Sequence, residues 1–131
     1  MVAHPRPLSP HLQIWRWGLH MALSIAHRAT GIANAVAAVG LVWWLYAIAA
    51  GPEAYDRFAE IAGSIPGRLV LFGLTLFLML HLCTGVRHLV MDTGRALEPA
   101  ANKRAGVLAI IAALVLTILV WLVGYRAAGL L

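Results

Sequence analysis

The residues most able to do chemistry are ionisable side chains that lie within or beside long apolar runs. Two short stretches carry them, Ser24-Ile25-Ala26-His27-Arg28-Ala29-Thr30-Gly31 and His81-Leu82-Cys83-Thr84-Gly85-Val86-Arg87-His88-Leu89-Val90-Met91-Asp92. Ionisable groups inside apolar segments are rare and are usually functional. These two stretches are therefore the candidate functional sites of the chain.

His81 lies inside the uncharged run 69–86, about 9 Å inward from Arg87 at the rise of an α-helix. A neutral imidazole at that depth needs a hydrogen-bond partner or a metal. Gly85 lies on the same helical face and leaves room for a flat group such as a haem edge, and haem iron commonly takes axial imidazole. The alternative is a structural histidine that is hydrogen-bonded to a neighbouring helix.

A second axial ligand is not evident in this chain. His88 lies about 10 Å further along the face of His81, so these two side chains cannot both ligate one iron. His27 is expected at the membrane edge, near the depth of Arg87, which makes it a poor second ligand. A bis-imidazole haem would therefore need a histidine from another chain. The cations expected near the haem propionates are Arg28, Arg87, His27 and His88, and for Arg87 and His88 interfacial snorkelling is the alternative.

Ser24 and Arg28 are four residues apart and lie on one helical face. A hydroxyl and a guanidinium at the membrane boundary could bind a quinone carbonyl. The alternative is that Ser24 caps the start of a helix and that Arg28 anchors this helix at the interface.

The elements that must position these side chains are membrane-spanning helices. Uncharged runs cover residues 30–50, 69–86 and 105–125, and a spanning helix needs about 20 mostly apolar residues. No strand-like alternation of a membrane barrel is present in 36–48. We therefore predict an all-α membrane protein, a single domain over 1–131 with three transmembrane helices, of which the first two extend into the flanking motifs. We expect these three helices to form part of a larger heteromeric bundle that includes helices of other subunits.

Composition excludes several other classes of protein. The chain is 62% hydrophobic and 11% charged, whereas an ordinary soluble domain is about 45–50% apolar and about 25% charged. A soluble enzyme, a disordered chain and a disulfide scaffold are therefore excluded, the last because there is one cysteine. The net charge of +5 does not indicate nucleic-acid binding, because the basic residues flank the apolar runs.

Lysine and arginine gather at one side of the predicted membrane. The N-terminal segment 1–29 and the second loop carry most of them, namely Arg6, Arg16, Arg28, Arg87, Arg95, Lys103 and Arg104, whereas the other side carries Arg57, Arg68 and Arg126. This asymmetry predicts a cytoplasmic N-terminus and places the first loop, 51–67, on the opposite side. The absence of an Arg/Ser-rich transit segment favours a bacterial inner membrane over the mitochondrial one.

Small residues suggest a packing face on the first helix. They are Gly31, Ala33, Ala35, Ala37, Ala38 and Gly40. Such residues let transmembrane helices approach one another closely. The face could serve this chain's own helices or a partner subunit, and a high alanine content is the plainer alternative.

Together with the N-terminal stretch Arg6-Pro7-Leu8-Ser9-Pro10-His11-Leu12-Gln13-Ile14, the two motifs carry a family resemblance over roughly 5–125. The chain resembles the cytochrome b556 subunits of succinate dehydrogenase, the larger membrane anchors of respiratory complex II. The resemblance implies that His81 ligates haem b and that His27 and His88 approach the haem propionates, where position along the chain also places Arg28. It also implies a ubiquinone site lined by Ser24, Arg28 and Trp17; an interfacial belt residue is the alternative for Trp17.

The function expected from this resemblance is electron transfer from succinate to ubiquinone within a complex. The chain has no flavin site and no cysteine cluster, so dicarboxylate chemistry is expected on a flavoprotein subunit and electrons from an iron–sulfur subunit. A second small anchor subunit would supply the other axial histidine. The alternatives are the anchor of a quinol:fumarate reductase and a membrane protein without a cofactor.

Overall fold

The computed structural model describes residues 7–130, apart from the side chain of Leu12. Helices follow one another with short connections, and this part of the chain contains no strand. The helices are α1 (His11–Ile14), α2 (Leu19–Ala50), α3 (Pro52–Gly63), α4 (Ile65–Asp92) and α5 (Pro99–Ala127). The predicted all-α fold is confirmed.

Three of these helices, α2, α4 and α5, are long and apolar enough to cross a membrane. Each is longer than the uncharged run that predicted it, because helical structure continues through the charged residues at the run's end. The extension of the first two helices into their motifs was expected. The third was predicted to begin at residue 105, whereas α5 begins at Pro99 and takes Lys103 and Arg104 into its first turns.

Glycine, proline and one serine cap set the helix ends. Gly51 has a φ of 107°, which other residues rarely adopt, and it separates α2 from α3. Ser64 then caps α4 by accepting a hydrogen bond from the Gly67 N–H at 3.1 Å. After α4, Gly94 has a φ of 80°, and Pro99 begins α5 at a position where proline lacks only an unneeded donor.

The prediction that residues 51–67 form a loop is wrong in its secondary structure. Residues 52–63 form α3, in which Arg57 and Glu53 are an exposed i,i+4 ion pair. The ring of Phe58 packs edge-on against Trp43 of α2, with 4.8 Å between ring centroids. The helix was missed because it is too short and too charged to span a membrane, whereas its packing against α2 stabilises it.

In the bundle, α4 lies between α2 and α5 and packs against both. The helices α2 and α5 approach each other at Gly106, where a Cβ would lie 2.6 Å from Leu23 Cδ1. Further along α5, Ala109 and Ala113 are buried. Close approach through small residues is the usual basis of helix association in lipid.

The predicted small-residue face of α2 is only partly used within the chain. Gly31 is half-buried against α4, whereas Ala35, Ala38 and Gly40 remain exposed. The exposed part of this face is therefore not explained by packing against this chain's own helices.

Candidate functional site

The chemistry-bearing residues gather at one end of the bundle, where α2 begins, α4 ends and α5 begins. We call this the site end. His81 on α4 reaches across to α2, where its Nδ1 lies 3.0 Å from the backbone oxygen of His27 and 3.3 Å from Thr30 Oγ1. A carbonyl oxygen can only accept, so Nδ1 of His81 carries the proton and donates it. The hydrogen bond to a neighbouring helix that the structural alternative requires is therefore present, and it uses one ring nitrogen.

His27 makes the reciprocal contact from α2 to α4. Its Nδ1 lies 2.8 Å from Thr84 Oγ1, and Thr84 is fully buried. The Thr84 hydroxyl lies 2.6 Å from the Leu80 carbonyl of its own helix and donates to it. The Thr84 oxygen is then free to accept from His27 Nδ1–H. Three polar contacts thus join α2 and α4 inside the apolar bundle.

The rings of three histidines lie together. His27 stacks on His81 with 4.0 Å between centroids and 7° between planes, and His88 meets His27 edge-on at 5.1 Å. His27 therefore lies beside both His81 and His88, whereas the sequence predicts it near the depth of Arg87. Because α2 begins at Leu19, His27 lies two turns inside a helix rather than at its start.

Stacked rings cannot be the two axial ligands of one metal, because their nitrogens do not face each other across it. No group of three or more His, Cys, Asp or Glu side chains that could hold a metal ion occurs among the described residues. His81 Nε2 has no hydrogen-bond partner within residues 7–130. With the proton on Nδ1, Nε2 of His81 presents a lone pair, so this imidazole can serve as a ligand to a metal.

The two glycines of the motifs have different surroundings. A Cβ at Gly31 would lie 3.0 Å from His81 Cε1, so His81 approaches α2 where α2 lacks a side chain. A Cβ at Gly85 would lie 3.7 Å from His27 Cε1. The flat group beside Gly85 within this chain is therefore the His27 imidazole.

Ser24 and Arg28 lie one turn apart on α2, Ser24 half-buried and Arg28 exposed. The alternative that Ser24 caps the helix is wrong, because α2 begins at Leu19 with Gly18 as its N-cap. Neither side chain makes a hydrogen bond or an ion pair within the described part of the chain, so both are available to an external ligand. Trp17 precedes α2, is 63% exposed and lies beside Trp15, with 5.3 Å between centroids.

Arg87 does not snorkel to the surface, because it is 7% exposed and lies between α4 and α5. Its Nη2 donates to Asn102 Oδ1, and Asn102 Nδ2 in turn contacts Met91 Sδ at 3.5 Å. The Arg87 Nε is buried without a partner among the residues described. Asn102 was missed from the sequence, although an amide near the start of an apolar helix is a signal of an interhelical hydrogen bond.

Asp92 is exposed at the end of α4. The sequence left open whether it pairs with Arg28, Arg87 or Arg95. Among residues 7–130 it forms an ion pair with none of them.

These features define a helical membrane protein that holds histidines within its spans. A sequence model of the family described as succinate dehydrogenase/fumarate reductase transmembrane subunit matches residues 3–120. The chain belongs to this family.

Several curated relatives resemble the chain over most of its length. It is 36% identical over 118 residues to the succinate dehydrogenase cytochrome b556 subunit of Paracoccus denitrificans, covering 90% of this chain and 91% of that one. Against the subunit of the same name from Rickettsia felis it is 32% identical, with 92% and 94% covered. It is also 38% identical to the mitochondrial cytochrome b560 subunit of Sus scrofa, covering 81% of this chain and 64% of the relative.

Proposed function

We propose that this chain is a membrane-anchor subunit of a succinate:ubiquinone oxidoreductase that binds haem b and forms part of the ubiquinone-reduction site. Family membership and the names of the relatives support the complex. The observation that carries the haem assignment is the His81 Nδ1–H bond to the His27 carbonyl, which leaves Nε2 for iron. When bound, the haem supplies a one-electron centre in the membrane.

His81 is the proposed axial ligand from this chain. The stacking of His27 on His81 supports the view that the second axial histidine comes from a second small anchor subunit. His27, His88 and Arg28 are the proposed contacts of the haem propionates. They lie at the site end of the bundle, where a carboxylate would find cationic or polar partners.

Ser24, Arg28 and Trp17 are proposed to bind ubiquinone. The hydroxyl and the guanidinium have no partners within residues 7–130, so they can donate to a quinone carbonyl without breaking an existing bond. The exposed indole of Trp17 offers an apolar surface to the quinone ring. These groups orient the quinone, whereas no residue of this chain is proposed to act on the dicarboxylate.

Succinate oxidation is proposed to occur on a flavoprotein subunit, with electrons reaching this chain through an iron–sulfur subunit. Both are soluble partners that would dock at the site end. The anchor of a quinol:fumarate reductase is the second candidate, because the family description names both enzymes. Redox titration of the purified complex decides the direction.

The proposed location is a bacterial inner membrane, with a mitochondrial inner membrane as the alternative. The site end carries Arg16, Arg28, Arg87, Arg95, Lys103 and Arg104, and the other end carries Arg57, Arg68 and Arg126. This excess supports a cytoplasmic N-terminus; Arg6, which also entered the sequence prediction, lies outside the described residues. Packing of α4 against both α2 and α5 supports one anchor domain over 1–131.

The test is the visible spectrum of the assembled complex after reduction with dithionite. His81→Ala should change or abolish the low-spin haem spectrum, whereas His11→Ala, an exposed histidine on α1, should leave it unchanged. Wild-type complex without haem would favour the cofactor-free alternative. A wild-type spectrum and potential in assembled His81→Ala complex would overturn the ligand assignment.

A further inference from the structure

The contact between His81 and the backbone of α2 determines which ring nitrogen of His81 is free. The His27 carbonyl lies one helical turn before Gly31 and faces the His81 ring at 3.0 Å. A backbone carbonyl oxygen accepts hydrogen bonds and cannot donate one. It therefore selects the tautomer of His81 that carries its proton on Nδ1. A histidine that donates its other N–H to a carbonyl is held in orientation and becomes a more basic metal ligand.

Gly31 leaves room for this contact. A Cβ there would lie 3.0 Å from His81 Cε1, so the ring would have to shift by a few tenths of an ångström, whereas the distances of 3.5 Å to Nδ1 and 3.9 Å to Nε2 are ordinary contacts. Glycine in a helix interior is less favourable than alanine. Gly40 is on the same helix, and a Cβ there would meet nothing within 4 Å. Of these two glycines of α2, Gly31 alone lies against another helix at this distance.

Thr30 supplies the second part of the contact. Its side chain is buried, and its hydroxyl lies 2.8 Å from the Ala26 carbonyl and 3.0 Å from the His27 carbonyl. Because the single hydroxyl proton goes to these backbone acceptors, the oxygen turns a lone pair towards His81 Nδ1 at 3.3 Å. Both acceptors around Nδ1 thus require the same tautomer.

We propose that Gly31 and Thr30 are positioning residues for the haem ligand, which hold His81 in its Nδ1–H tautomer on the α2 backbone and so direct Nε2 to iron with raised basicity. This inference rests on the proposed function, in which His81 ligates haem. Gly31 and Thr30 contact His81, and neither residue is proposed to contact the haem.

The experiment measures the haem midpoint potential and the low-spin spectrum of the purified, assembled complex. Gly31→Ala and Gly31→Val should weaken the Nδ1–H bond, lower the basicity of the imidazole and destabilise the oxidised haem. The expected effect is an about tenfold fall in the ratio of oxidised to reduced haem at a given potential, which is a rise of about 59 mV for one electron. Valine should shift the potential at least as far as alanine.

Thr30→Val should shift the potential in the same direction by less, because the His27 carbonyl remains, and Thr30→Ser should restore the wild-type value. The matched controls are Gly40→Ala and Thr117→Val. Thr117 is a buried threonine whose hydroxyl bonds only its own helix, at the Ala113 carbonyl. Both controls should keep the wild-type potential.

Wild-type potentials in Gly31→Val and Thr30→Val would overturn the positioning role. Equal shifts in the control variants would overturn it as well, because they would indicate a general effect of altered packing. His81→Ala separates this failure from that of the proposed function. If His81→Ala leaves the haem spectrum unchanged, the ligand assignment itself is wrong, whereas a changed spectrum together with unshifted Gly31 variants rejects only the positioning role.

Discussion

Replacing Ser24 with alanine should slow ubiquinone reduction while leaving the fold intact. Ser24 lies inside α2, does not cap it, and makes no side-chain hydrogen bond within residues 7–130. Removal of the Ser24 hydroxyl therefore breaks no hydrogen bond within residues 7–130. A change in quinone kinetics would then indicate that this hydroxyl contacts a group outside those residues. A neutral hydrogen bond contributes about 0.5–1.5 kcal/mol, so kcat/KM for quinone should fall about 2- to 13-fold.

The assay is succinate-dependent reduction of a short-chain ubiquinone by the assembled complex. Reduction of an artificial acceptor that takes electrons upstream should stay at the wild-type rate, because the dicarboxylate chemistry lies on other chains. Ser64→Ala is the matched control, since Ser64 does cap a helix. It should lower thermal stability by about 1 kcal/mol and leave quinone kinetics unchanged.

The reasoning is refuted if assembled Ser24→Ala complex keeps wild-type quinone turnover and inhibitor affinity. The same holds if Ser24→Ala behaves like Ser64→Ala, with lowered stability and normal quinone kinetics. In either case the hydroxyl does not contact quinone, and the site must lie elsewhere at the site end.

Three further outcomes are expected. Arg28→Leu should lower quinone kcat/KM by more than Ser24→Ala does, because a charged donor contributes about 1.5–3 kcal/mol; an equal or smaller loss in steady-state assays would contradict this. Asn102→Leu should reduce the free energy of unfolding of the complex by about 1–3 kcal/mol, because it leaves Arg87 buried without its acceptor. In a double-mutant cycle, Arg87→Leu combined with Asn102→Leu should recover part of this loss. The chain expressed without its partners should not show a bis-histidine haem spectrum, because His27 is stacked on His81 instead of facing it; such a spectrum from the purified chain would reject the need for a second subunit.

Much of the candidate site could be predicted from residue types. His81 stands out because an imidazole inside an uncharged run must satisfy its nitrogens, and Ser24 and Arg28 because four residues make one helical turn. The partners of these residues could not be predicted. Thr84 and Asn102 are ordinary polar residues in sequence, and they become hydrogen-bond acceptors only because α4 packs between α2 and α5.

The surroundings of His27 show what a pattern along the chain does not specify. The charge of Arg28 ends the uncharged run at residue 30, and this boundary predicts His27 at the membrane edge. Helical structure does not stop at a charge near the interface, because a long side chain can reach the polar region. α2 therefore continues back to Leu19, and His27 reaches the ring of His81.

The sequence alone determines that α2, α4 and α5 are apolar spans and that the cations gather where α2 begins, because transfer into lipid depends on the composition of each run, which is a local property. Tertiary structure alone decides which nitrogen of His81 is free, what His27 stacks on, and whether Arg87 is buried or solvated. These depend on the distance and rotation between helices, which approach each other closely at Gly31 and Gly106. A hydrogen bond across two helices forms only within about 3 Å, and spacing along one chain does not specify that distance.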